Sequence, residues 1–129
     1  MLTIKTWCLP AGLSEEDLNN LHNAIVAAVI SVPETGVKDE SMMLNLFPTD
    51  MMSYGLGNEI SIEITQVPSS CTPLKRAELA AAVGLAVRRL FPKANIGCEA
   101  LPVNNTATYW SAISKEKQFT EECKEEFHK

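Results

Sequence analysis

The stretch EISIEIT at residues 59–65 constrains the fold more than any other part of the chain. Ile60, Ile62 and Ile64 alternate strictly with polar residues and share one face. A repeat of two residues fits a half-buried strand and no helix. The strand must bury its isoleucine face against another element. The next segment offers one. Thr72-Pro73 pairs an N-capping residue with a proline at the first helical position. Leu79, Val83, Val87 and Leu90 then recur at helical spacing as one apolar stripe, which Pro92 closes. Residues 94–101 read as a weaker strand ended by Pro102.

The first half follows the same plan. Residues 2–9 read as a strand, with Leu2, Ile4, Thr6 and Cys8 on one side. Pro10 and Gly12 break it. Ser14 is a good N-cap, and Glu15, Glu16 and Asp17 put negative charge in the first turn, where the helix dipole favours it. Leu18, Leu21, Ile25, Val29 and Val32 form the apolar face, and Pro33 and Gly36 end the helix. Residues 42–47 are nearly all apolar, so this strand is expected to be covered on both faces. Prolines fall at matching places in the halves: Pro33 and Pro92 after the helices, Pro48 and Pro102 after the strands. The pattern predicts an α+β fold of two tandem βαβ units, in the order β-α-β-β-α-β.

One domain suffices for 129 residues. It is expected over residues 1–112, with units at about 1–55 and 56–112. Residues 113–129 stand apart as a charged tail. Phe119, Cys123 and Phe127 are spaced by four there, which predicts a short amphipathic helix. Such a helix is either a solvated appendage or a subunit-contact or lid element. The net charge of −5 gives no basic surface for nucleic acid. No apolar run approaches the ~18 residues needed to cross a bilayer, and no secretory signal opens the chain. Cys8, Cys71, Cys98 and Cys123 make no metal-binding pattern and read as reduced cysteines of a cytoplasmic protein. No cofactor motif is present. His22 reads as an ordinary helix residue.

Two architectures share this element order. One is the ferredoxin-like regulatory module, whose second and third strands form a tight hairpin. The other joins two βαβ units. The connection PTDMMSYGLGN at residues 48–58 is long for a hairpin loop, where about two to five residues are usual. The stretch TGVKDESMMLNLFPTDMMSYGLG, from Thr35, resembles the macrophage migration inhibitory factor branch of the tautomerase superfamily. The matching positions are Thr35, Gly36, Lys38, Pro48, Met51 or Met52, Tyr54, Gly55 and Gly57; Asn104-Asn105 and Trp110 continue the likeness near the end.

The resemblance implies a homotrimer whose sheets surround a central channel. A sheet with both helices on one face also needs cover for its other face, which self-association supplies. The resemblance further implies general acid–base chemistry by an N-terminal proline, which takes a proton from the carbon next to a carbonyl. Here the chain begins Met1-Leu2, so the amine at Met1 would be primary. The catalytic expectation falls on the Met1 α-amine and on Lys38, as the cation for a small carboxylate. Lys5, Tyr54, Tyr109 and Trp110 are the substrate-binding candidates. Each has a plainer reading: solvated lysines for Lys5 and Lys38, core or subunit packing for the aromatics. The function expected is keto–enol tautomerisation of small α-keto or enol carboxylates. The alternatives are a non-catalytic tautomerase-fold protein that binds a ligand or partner at the trimer interface, and the ferredoxin-like module.

Overall fold

A computed structural model of the chain describes residues 1–48 and 59–103. Strand β1 spans Leu2–Trp7, helix α1 Glu15–Ile30 and strand β2 Met43–Leu46. Strand β3 spans Glu59–Val67, helix α2 Pro73–Leu90 and strand β4 Asn95–Pro102. The expected succession of two strand–helix–strand units is present. The expected tail helix falls outside the described residues.

Both helices start where capping chemistry places them. The Ser14 hydroxyl accepts from the Asp17 N–H, and the Asp17 carboxylate accepts from the Ser14 N–H, so two otherwise unpaired donors are satisfied. Thr72 accepts from the Lys75 N–H, with Pro73 at the first helical position. After α1, Gly36 takes a left-handed φ of 75°, a conformation that suits glycine, and turns the chain toward β2.

The strands form one sheet in the order β2-β1-β3-β4. Pairing is parallel within each unit, β1 with β2 and β3 with β4, and antiparallel between the units. The ferredoxin-like alternative is excluded by this order. It requires β2 and β3 to lie side by side as a hairpin, and β1 stands between them.

One sheet face carries the core. Leu2, Ile4 and Thr6 of β1, together with Ile60, Ile62 and Ile64 of β3, are buried beneath Leu21, Ile25, Val29, Leu79, Val83 and Val87 of the helices. Three details depart from the expected pattern. β1 stops at Trp7 instead of residue 9, because Cys8 turns to a left-handed φ of 67°. Leu90 is 42% exposed, since it is the last residue of α2, and Phe91 packs against the core instead. β2 is not covered on both faces: Met43 is buried, but Leu44 and Leu46 are exposed. β2 is an edge strand, and the helices lie only on the other side of the sheet. Among the described residues, no helix is long and apolar enough to cross a membrane.

The two faces of β3 should respond differently to truncation. Ile62→Ala is expected to cost about 2–5 kcal/mol of unfolding free energy, as large-to-small core changes do. Ser61→Ala should stay within about 0.5 kcal/mol. Urea midpoints of the two variants measure the contrast, and equal losses would contradict the assigned faces.

Candidate functional site

β1 starts in the middle of the sheet, so its first residue meets the ends of several segments. Leu2 pairs with Met43 at the start of β2, and Thr3 pairs with Thr65 near the end of β3. Beyond it, Val67 pairs with Pro102 at the end of β4, and the Val103 N–H donates to the Val67 carbonyl at 2.9 Å. Met1 therefore stands at a rim shared by all four strands, and it is 54% exposed. The loop that enters β2 reaches the same rim at Met43, and Lys38, earlier in that loop, is exposed.

The rim holds a feature that sequence reasoning missed. The β3–β4 register shifts between Ile64 and Val67, and Gln66 adopts a left-handed φ of 60°. This is a β-bulge, which inserts a residue and re-aims side chains. A left-handed conformation at a residue with a Cβ costs of order 1–3 kcal/mol. A signal was legible in the sequence. The period-two run Ile60, Ile62, Ile64 is broken by two successive polar residues before Val67.

Lys5 lies elsewhere. It is on the open sheet face in a row with Leu46, Glu63 and Glu99, read across the strand registers. Its Nζ sits 6.0 Å from the centroid of the Trp7 ring. At roughly 3.3 Å per strand residue, its backbone is about 13 Å along β1 from Met1. Lys5 is thus not at the Met1 rim. Tyr54, Tyr109 and Trp110 lie outside the described residues. Glu59, Glu63 and Glu99 share the open face with Lys5, so the described strands give that face a negative balance.

A second polar cluster joins α1 to the edge strand. His22 Nε2 lies 2.7 Å from Glu40 Oε2, and Asn45 Nδ2 lies 3.0 Å from His22 Nδ1. The compatible tautomer carries its proton on Nε2, donates to Glu40 and accepts from Asn45. The Asn45 Oδ1 is buried without a partner among the described residues. His22 is a helix residue as expected, with a partner at each ring nitrogen. Its partners are 18 and 23 positions away, so no local pattern announces them. With both ring nitrogens engaged, it serves as a clamp more readily than as a base.

The described cysteines are free. Burial, aided by the Glu99 charge, pushes the Cys98 thiol up to about 12. Burial and then the Glu34 carboxylate raise the Cys71 thiol as well. Both thiols stay protonated near neutral pH, which makes them poor nucleophiles. Among the described residues, no three His, Cys, Asp or Glu side chains gather as a metal site.

No protein-family model and no curated protein sequence matches the chain. Solved structures do. A malonate semialdehyde decarboxylase superposes with a TM-score of 0.55 at 13% identity, covering 95% of this chain and 98% of its own. Macrophage migration inhibitory factor of Toxoplasma gondii gives 0.57 at 18%, covering 87% and 95%. A trimeric fused 4-OT gives 0.59 at 14%, covering 88% and 95%. The chain has the tautomerase-superfamily fold.

The Cys98 thiol gives a pH signature with a definite sign. Its folded pKa is raised above the ordinary value of 9.0, so the folded protein holds this proton after the unfolded chain has lost it. Its contribution is fully present below about pH 9 and is lost as the pH rises toward about 12. Urea unfolding at pH 8 and pH 10 should show a shallower loss in Cys98→Ala than in the parent. Identical slopes would mean that the thiol ionises freely in the folded state.

Proposed function

We propose that this chain is a homotrimeric tautomerase acting on small α-keto or enol carboxylates, with the Met1 α-amine as general base. The observation that carries the reading is the rim. An exposed Met1 precedes the central strand there, with the start of β2 and the Gln66 bulge at the same rim. In the proposed reaction the neutral amine takes a proton from the carbon next to the carbonyl. The C–H electron pair becomes the enolate double bond, and the carbonyl oxygen takes the charge. The resulting ammonium returns a proton to that oxygen to give the enol. Lys38 supplies the positive charge for the substrate carboxylate. The open sheet face supports self-association, since Leu44, Leu46 and Leu101 are exposed on it. The free described thiols suit a reducing, cytoplasmic setting.

A second reading is a non-catalytic binding protein of the same fold. Two observations favour it: position 1 is methionine instead of proline, and the open face has more carboxylates than lysines. An anionic substrate would be repelled by that face.

One combined experiment separates the readings. Intact-mass analysis establishes whether the Met1 amine is free, and enolisation of phenylpyruvate is then followed before and after selective acetylation of that amine. The catalytic reading expects a loss of at least about 100-fold on acetylation, the scale of general-base contributions. Lys38→Ala should mainly raise KM. Turnover that survives acetylation would overturn the mechanism. A trimeric mass with no turnover would leave the binding reading standing. Light scattering should give three chain masses.

A further inference from the structure

Among the described residues, nothing closes the helix layer on its outer side. α1 and α2 leave a groove of about 450 Å³ between them, facing away from the sheet. Its walls are mostly small and apolar, with Ala24, Ala27, Ala28, Ala82 and Ala86 prominent. Leu85 and Leu90 also line it and are 55% and 42% exposed. Alanines on both sides make a slot in which a larger side chain can reach both helices. Arg89 provides the one cation of the lining. The neighbouring Arg88 is already committed, donating to the Pro92 and Ala94 carbonyls at 3.4 and 3.1 Å.

We propose that residues 113–129 of the same chain seat on this groove as an amphipathic helix. Three observations point to this occupant. The tail sequence carries Phe119, Cys123 and Phe127 at helical spacing, a stripe of two aromatic rings flanking a small thiol. Glu122 and Glu126 border that stripe on the same helical face, which complements the Arg89 wall. The described chain ends at Val103, just past β4, the edge strand packed against α2. From there to Phe119 is 16 residue steps, an extended reach of about 50 Å. The linker can therefore pass around the sheet edge and reach the groove. The seated tail shields the exposed leucines and the outer sides of both helices. This inference does not rest on the catalytic reading, because it concerns the opposite side of the sheet.

The native Cys123 makes the test direct. Leu85→Cys places a second thiol at the groove, and mild oxidation of the full-length protein should join it to Cys123 within one chain. Peptide mapping would identify the link, with Leu85→Cys/Cys123→Ser as the control. A link between two chains would show that a second copy covers the groove, and would overturn the proposal. Absence of any link would do the same. Hydrogen exchange provides an independent measurement that needs no substitution in the groove. Removing residues 113–129 should speed exchange several-fold at the amides of residues 24–31 and 82–90, without a matching change in β1. Unchanged rates at those helix amides would also overturn it.

Discussion

The antiparallel pairing of β1 with β3 is the contact on which the rest of the architecture depends. It is the only strand ladder that joins the two units among the described residues. Its register opposes Ile4 to Ile64 and Thr6 to Ile62, so the buried faces of both strands coincide. A slip of one residue would turn one isoleucine set to the open side. Each unit alone is two strands and a helix, with too little surface to bury. Joined at this ladder, the two helices cover a continuous four-stranded layer and share one core.

The same arrangement builds the rim at the start of β1. β1 is a central strand, and Met1, just ahead of it, is exposed. The segments around that start come from both units: the loop before β2 from the first, the Gln66 bulge and the end of β4 from the second. Joining the two units thus produces a rim that neither could build alone. The open face beside it combines leucines with glutamates and a single strand lysine. Any surface that covers this face must match apolar and negative patches together.

Local sequence carried the elements well and their neighbours poorly. The alternation at 59–65, the Ser14 capping box and the Thr72-Pro73 start each use residues within a few positions, and the structure has all three. The apolar run at residues 42–47 misled because composition cannot tell a strand covered on one face from one covered on both. Leu44 and Leu46 face the side of the sheet that carries neither helix. His22 shows the same limit for polar groups, since its contacts with Glu40 and Asn45 exist only once α1 lies over β2. Around the candidate site, Met1 and the broken alternation at Gln66 were legible in the sequence. That both lie at one rim depends on the strand order.

The exposed start of β1 has a practical corollary for handling the protein. An affinity tag fused ahead of Met1 would leave through the centre of the rim, not from a remote corner of the molecule. It would acylate the terminal nitrogen and crowd the rim beside the Gln66 bulge. Under the proposed mechanism, preparations made that way would lack the free amine.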